Sequence, residues 1–225
     1  LSATFSGEPG RTYAFYSVAR DLVGNTETVP SQPDTVTRVA GVGGEICGNC
    51  EDDDGDGKID GLDADCAATL LTVKKATLNL VKPAPGDDKI SLTGSFAPAT
   101  IAPPAEGMTL SFIAPGTGAA DPDVVLACVQ IPPGALGWKT NKTGTQWTFK
   151  DTKGGPLGDP NSKDAVTIKF NAKKQQYEVS LTIGEAEVGA LTEGVVSTQL
   201  SVGNQGWEST QLWRLKAKGK QLVTP

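Results

Sequence analysis

Apolar and polar residues alternate along most of the chain beyond residue 67. Clear alternating runs are Ile90/Leu92/Phe96, Met108/Leu110/Phe112, Val166/Ile168/Phe170 and Tyr177/Val179/Leu181/Ile183. Because successive side chains of a strand point to opposite faces, this pattern predicts strands with one face buried and the other in water. The predicted strands are Leu71–Val81, Lys89–Phe96, Met108–Ile113, Val124–Ile131, Gln146–Lys150, Ala165–Asn171, Gln176–Ile183, Val195–Val202 and Gln211–Ala217.

Turn signals separate these strands. Proline-rich connectors lie at 83–86, 103–104 and 132–134, and residues 170–177 are typical of a hairpin with a polar tip. The chain has 27 glycines and 15 prolines in 225 residues, which fits many turns. We therefore predict an all-β fold, an antiparallel β-sandwich of the Ig-like or jelly-roll kind, over residues 67–225.

A shorter β pattern precedes this region. Tyr13, Phe15 and Ala19 share one face at period two, Gly24-Asn25 predicts a turn, and residues 34–39, which include Val36, predict a return strand. The pattern resembles the last strands of a fibronectin type III or bacterial Ig-like domain, so residues 1–40 are interpreted as the C-terminal part of one. Such domains have about ninety residues and seven strands. The resemblance implies either that another chain completes this sheet by strand addition, or that residues 1–40 pack on the second domain of their own chain.

An acidic loop occupies residues 41–66. Counted from Asp52, carboxylates occupy positions 1, 3, 5, 9 and 12 of a loop with Gly57 at position 6. This spacing predicts a Ca²⁺ site, and the expected ligands are Asp52, Asp54, Asp56, the Lys58 carbonyl, Asp60 and Asp63. Position 12 is Asp where Glu is usual, which implies altered coordination. The other interpretation is a solvated acidic linker.

The loop also resembles known calcium loops. Its order of Cys-Gly-Asn, an Asp-Gly-Asp-Gly core and a closing Cys is similar to loops of secreted bacterial surface proteins. It resembles dockerin and thrombospondin type 3 repeats as well. The resemblance implies calcium as the cofactor and a secreted, extracellular setting.

The chain has four cysteines, Cys47, Cys50, Cys66 and Cys128. They could form a zinc site or two disulfides, and disulfides are favoured because three of them bracket the acidic loop. Of the three pairings, Cys47–Cys66 with Cys50–Cys128 is preferred. A Cys47–Cys50 bond is least favoured, because its two-residue spacer strains a disulfide.

Composition narrows the possible functions. The chain has no histidine, which excludes Ser-His-Asp catalysis and histidine-ligated zinc. Its net charge of −6 argues against nucleic acid and anionic membranes as partners. No apolar run is long enough for a transmembrane helix. The four tryptophans fit either an aromatic platform for sugars or core packing; Trp138 and Trp207, next to glycines, are the better candidates for exposed contacts, and Trp147 and Trp213 for the core.

Together these patterns predict a non-enzymatic extracellular protein with a calcium-stabilised structural or adhesive role. We expect it to self-assemble into a filament or surface matrix, with itself as main partner and a cell-surface polysaccharide as a second one. The alternative is an accessory carbohydrate-binding region of a secreted hydrolase. A third option is an enzyme whose carboxylates converge only in the fold.

Overall fold

The computed structural model describes residues 12–28, 35–38, 44–80, 88–151, 157, 164–186, 188–216 and 219–224. These residues contain thirteen strands, a 3-10 turn at Asp60–Leu62 and a short helix, α1 (Pro103–Glu106). The strands are β1 (Thr12–Phe15), β2 (Thr35–Arg38), β3 (Ala68–Asn79), β4 (Asp88–Phe96), β5 (Met108–Ala114), β6 (Val124–Ile131), β7 (Trp138–Thr140), β8 (Gln146–Lys150), β9 (Ala165–Asn171), β10 (Gln176–Ala186), β11 (Gly194–Val202), β12 (Gln205–Lys216) and β13 (Gln221–Val223).

The all-β prediction is confirmed, and each of the nine strands predicted after residue 67 corresponds to an observed strand. The structure adds the short strands β7 and β13, and it starts β12 six residues earlier than expected. The predicted ends at Val81 and Ala217 lie outside the described residues. The hairpin predicted at 170–177 is present, with Gln176 paired to Asn171.

Strands β3 to β13 form one continuous sheet in the order β6-β5-β11-β12-β13-β3-β4-β10-β9-β8-β7. All neighbours are antiparallel except for a short parallel pairing, in which Gly206–Glu208 of β12 lie beside Ala68–Leu70 of β3. The twelve-residue strands β3 and β12 take part in both halves of the sheet. The predicted sandwich therefore takes the form of a half-barrel, because these two strands join its layers.

The inner face of the half-barrel encloses a single hydrophobic core. Both halves contribute to it: Phe112 of β5 packs edge-on against Trp213 of β12, and Phe96 of β4 contacts Trp207 at 4.3 Å between ring centroids. The alternation seen in the sequence is the physical cause, since Ile90, Leu92, Met108 and other members of each run point inward.

Three of the four tryptophans are buried in this core. Trp147, Trp207 and Trp213 are 6%, 3% and 0% exposed. The expectation that Trp207 makes exposed contacts is therefore wrong, because its ring is buried against Phe96. Trp138 is half-buried and packs on Phe149, with 5.2 Å between ring centroids.

The N-terminal segment forms a separate two-stranded pairing. β1 runs antiparallel to β2, with Tyr13 opposite Thr37 and Ala14 opposite Val36. Between them the Gly24-Asn25 turn is held by Asp21, whose carboxylate accepts the Val23 and Asn25 N–H groups. Residues 29–34 and 39–40 lie outside the described part of the chain. No helix among the described residues is long and apolar enough to cross a membrane.

Candidate metal centre

Two disulfides hold the acidic loop, whose residues 44–66 the structure describes. Cys47 is bonded to Cys66 across the base of the loop, and Cys50 is bonded to Cys128 on β6. This is the pairing preferred from the sequence. The first bond closes the loop on itself, and the second attaches it to the half-barrel. No free cysteine remains among the four.

At the centre of the loop, backbone N–H groups donate hydrogen bonds to aspartate side chains of the same loop. The two oxygens of Asp52 accept the N–H groups of Gly55 and Gly57 at 2.6 and 3.0 Å. Asp54 accepts the N–H of Asp56 at 3.1 Å. Gly57 has φ of +90°, a conformation that glycine adopts without strain. These short-range hydrogen bonds bring alternate carboxylates to one side of the loop.

The carboxylates converge in two overlapping groups. Oxygens of Glu45, Asp52 and Asp54 lie within 4.8 Å of one another, and so do oxygens of Asp54, Asp56 and Asp63. Asp54 belongs to both groups. A set of carboxylate oxygens at this separation could hold a metal ion. The structure thus brings together four of the predicted side chains, Asp52, Asp54, Asp56 and Asp63.

Asp63 supplies a second observation at the same place. The residue is 5% exposed. One of its oxygens accepts the Asp65 N–H, whereas Oδ2 is buried and has no hydrogen-bond partner. Buried carboxylate oxygens without a donor are rare, because burial removes their hydration. A cation is the partner that this oxygen fits.

Asp60 does not take the position of a metal ligand that the sequence predicts for it. The buried Asp60 carboxylate accepts the N–H groups of Gly48, Asn49 and Cys50 at 2.6–3.1 Å, and it belongs to neither carboxylate group. Its role in the structure is to fix the turn that holds both disulfides of the loop.

Glu45 joins the site although it lies seven residues before Asp52. Its oxygens accept the N–H groups of Asp53 and Asp60, both at 2.9 Å. An acidic residue two positions before Cys47 was the available signal, and it lies outside the twelve-residue loop pattern. The carboxylate reaches the site because the Cys47–Cys66 bond folds the start of the loop over its middle.

Burial and mutual repulsion raise the pKa values of three acids of the loop, Glu45, Asp60 and Asp63. Burial raises the pKa of Glu45 from 4.5 to about 7, and the charges of Asp53 and Asp63 add to the effect. The pKa values of Asp60 and Asp63 are also raised, in both cases mainly by burial. The neighbouring Asp56 and Asp54 charges raise that of Asp63 further. A bound cation would relieve both causes by supplying positive charge.

A partly buried ion pair attaches the loop to the β5–β6 connection. Nζ of Lys58 donates to the Gly116 carbonyl at 2.6 Å and to Asp123 Oδ1 at 3.1 Å. The other Asp123 oxygen accepts the Ile59 N–H. From the sequence, only the backbone carbonyl of Lys58 is expected to have a role, as a metal ligand. In the structure the Lys58 side chain attaches the loop to the β5–β6 connection.

Close packing and two glutamines complete the attachment. A Cβ on Gly57 would lie 2.6 Å from the Ala119 backbone nitrogen, so only glycine fits there. Gln199 of β11 accepts the Gly61 N–H through Oε1 at 2.9 Å. Gln130 of β6 donates to the Asn49 carbonyl at 2.7 Å. The loop is therefore held against β6, β11 and the β5–β6 connection, all in one half of the sheet.

Comparison of the chain with protein-family models, with curated proteins and with solved structures finds no match. The resemblances to fibronectin type III domains and to dockerin-type loops stay predictions. The class that the structure itself defines is an all-β protein with two disulfides and an acidic group able to hold a metal ion. The disulfides are compatible with an extracellular protein.

Proposed function

We propose that this chain is an extracellular calcium-stabilised structural protein, in which one Ca²⁺ orders the acidic loop against the half-barrel. The observation that carries the proposal is that five carboxylates converge in two groups that share Asp54, and that one of the five, Asp63, has a buried oxygen without a hydrogen-bond partner. Glu45, Asp52, Asp54, Asp56 and Asp63 would supply the oxygen ligands, and Ca²⁺ takes six to eight oxygens. The ion supplies charge neutralisation and rigidity.

Calcium is favoured over other metals by the donor set. All five candidate side chains are carboxylates, and the chain has no histidine. The four cysteines are engaged in disulfides and so leave no thiolate for zinc. Hard oxygen ligands suit Ca²⁺ or Mg²⁺, and a loop of many carboxylates suits Ca²⁺ because Mg²⁺ retains several waters.

The test is titration of the intact chain with calcium by calorimetry and by thermal unfolding. We expect one ion per chain and a rise in Tm that chelator reverses, because the ion binds the folded state; at a hundredfold excess over Kd the stabilisation is about 2.7 kcal/mol. Asp54→Asn should abolish binding, since Asp54 belongs to both carboxylate groups. Glu51→Gln is the matched control, because Glu51 lies in the same loop but outside both groups. Equal binding by wild type and Asp54→Asn would refute the site.

We propose further that the chain associates with copies of itself through the N-terminal hairpin. Leu22 is fully exposed and Val23 is 86% exposed at the hairpin turn, and Val18 is 41% exposed. Packing these side chains against a second copy would remove apolar surface at roughly 25 cal/mol per Å². Sedimentation of wild type and of Leu22→Ser/Val23→Ser should show association only in the former. A monodisperse wild-type monomer at high concentration would contradict self-assembly.

The alternative of a tryptophan platform for sugars lacks a supporting observation. Trp147, Trp207 and Trp213 are buried in the core, and Trp138 packs on Phe149. An aromatic platform needs ring faces open to solvent.

A further inference from the structure

One face of the sheet is strongly cationic, although the chain as a whole is acidic. The outer surface of the half formed by β13, β3, β4, β10, β9, β8 and β7 carries six exposed lysines: Lys74, Lys75, Lys89, Lys139, Lys150 and Lys169. Arg214 and Lys216 at the end of β12 extend the same face. We call this surface the cationic face.

Strand register fixes this arrangement. Lys75, Thr93, Ser180, Thr167, Thr148 and Lys139 are paired one to the next across β3, β4, β10, β9, β8 and β7. With neighbouring strands about 4.8 Å apart, this row of hydroxyls ends in a lysine on each side and spans about 24 Å. The next row places Lys169 beside Glu178.

Glu178 is the one strand carboxylate on this face among the side chains that the structure describes. It accepts hydrogen bonds from Asn171 at 3.0 Å and from Lys174 at 3.4 Å. Its negative charge is thus already balanced locally. The face has a net positive charge on a protein whose net charge is −6.

A shallow groove runs through the middle of this face. It has a volume of about 280 Å³, and Gly94, which has no side chain, lies among its lining residues. Lys74, Lys169 and Glu178 line it together with the hydroxyls of Thr93, Thr167 and Ser180. The groove therefore combines positive charge with a series of neutral hydrogen-bonding groups.

We propose that the cationic face binds an anionic polysaccharide, one that carries carboxylate or sulfate groups on its sugars. Lysines attract the anionic groups, and the Ser and Thr hydroxyls between them can hydrogen-bond sugar hydroxyls. Trp138, Trp147, Phe149 and Tyr177 of these strands lie in or against the core, so bases would find no stacking partner here. Leu70 of β3 and Leu212 of β12 are exposed, but neither lines the groove, so the groove offers no exposed apolar side chain to a membrane. The extracellular setting, where such glycans occur, rests on the proposed function.

The test uses dextran sulfate and hyaluronate as probes, with uncharged dextran as the neutral control. Binding is measured by biolayer interferometry on the intact chain, at low and at physiological salt. We expect binding to both anionic polymers and none to dextran, with affinity that falls steeply as salt rises because the contacts are exposed charges. Absence of binding to both anionic polymers at low salt would overturn the proposal.

Two variants with the same change in charge distinguish an effect of the cationic face from an effect of net charge. Lys75→Gln/Lys139→Gln/Lys169→Gln removes three lysines from the face, whereas Lys142→Gln/Lys173→Gln/Lys220→Gln removes three exposed loop lysines. We expect the first to bind dextran sulfate about tenfold more weakly and the second to bind like wild type within about twofold. Equal loss in both variants would show that net charge alone matters. Tighter binding to DNA or to phosphatidylserine vesicles than to the polysaccharides would also refute the proposal.

Calcium binding by the same variants distinguishes the two proposals. The cationic face contains none of the candidate metal ligands, so all six lysine changes should leave calcium affinity unchanged. If the chain binds dextran sulfate but no calcium, the proposed function fails and the cationic face stands. If calcium binds and the polysaccharides do not, the reverse holds.

Discussion

The acidic loop and the half-barrel are ordered by different forces. The half-barrel buries a continuous apolar core under paired strands, with side chains such as Leu92 and Phe112 almost inaccessible to solvent. The loop buries only Ile59 and the disulfide-bonded Cys66 among its apolar side chains, and its other buried side chains are the acids Glu45, Asp60 and Asp63. Disulfides, an ion pair and hydrogen bonds to carboxylates hold it in place. The order of the loop is therefore expected to depend on redox state and pH, and under the proposed function on calcium, whereas that of the sheet depends on packing.

The largest expected effect comes from cutting the covalent link between these two regions. Cys50→Ser/Cys128→Ser opens a bond that spans 78 residues, and Cys47→Ser/Cys66→Ser opens one that spans 19. Since the loop entropy released grows with length, we expect losses of about 4 and about 3 kcal/mol, measured by urea unfolding. The first variant should also lower calcium affinity, because the loop is no longer tied to β6. A larger loss from the shorter bond would contradict this order.

A core substitution tests the half-barrel alone. Leu92→Ala removes a side chain that is 1% exposed, and we expect a cost of about 3 kcal/mol in urea unfolding from lost burial and cavity formation. Thr93→Ala, the next residue on the exposed face, should change stability by less than about 0.5 kcal/mol. Calcium affinity should remain at the wild-type value in both. A change in affinity with Leu92→Ala would show that the two regions are not independent.

A smaller effect is expected at the contact between the loop and the sheet. Asp123→Asn removes the charge that faces Lys58 and places an amide donor near the Ile59 or Gly116 N–H groups. We expect about 2 kcal/mol of destabilisation, since the Lys58 ammonium loses its ionic partner. Asp121→Asn nearby is the control, because Asp121 is exposed. Thermal unfolding of the two variants side by side measures the difference.

The sequence predicts the half-barrel better than it predicts the loop. Alternation located nine strands because each buries one face, a property that local residue order encodes. The three-residue strands β7 and β13 are too short to show a period, and the first half of β12 is mostly polar. The joining of two layers into one sheet depends on the pairing of β3 with β12 and with β13, across more than 130 residues, which no local pattern contains.

In the loop, spacing identified the acids but not their separate roles. Asp52, Asp54, Asp56 and Asp63 converge as the register suggests. Asp60 adopts a left-handed φ of +50° and turns its carboxylate to three backbone N–H groups. Glu45 enters from outside the pattern because chain closure by Cys47–Cys66 determines its position. Regular loop positions are predictable, whereas contacts made by cross-links are not.

The last expected effect is a difference in pH dependence between the acidic loop and the half-barrel. The pKa of Glu45 is about 7 in the folded protein without metal, against an ordinary value of 4.5, because burial disfavours its charged form. Between these values Glu45 binds more protons in the folded state than in the unfolded state, so its contribution to stability without metal is fully present below about pH 4.5 and is lost as pH rises through about 7. Calcium needs the ionised carboxylates, so protons compete with it. We therefore expect the calcium-induced rise in Tm to be larger at pH 8 than at pH 5.5, and Glu45→Gln to flatten the decline in the metal-free protein.

Leu92→Ala, whose change lies in the core of the sheet, should keep the wild-type pH profile at a lower Tm. An unchanged decline in Glu45→Gln would assign the pH dependence to other groups.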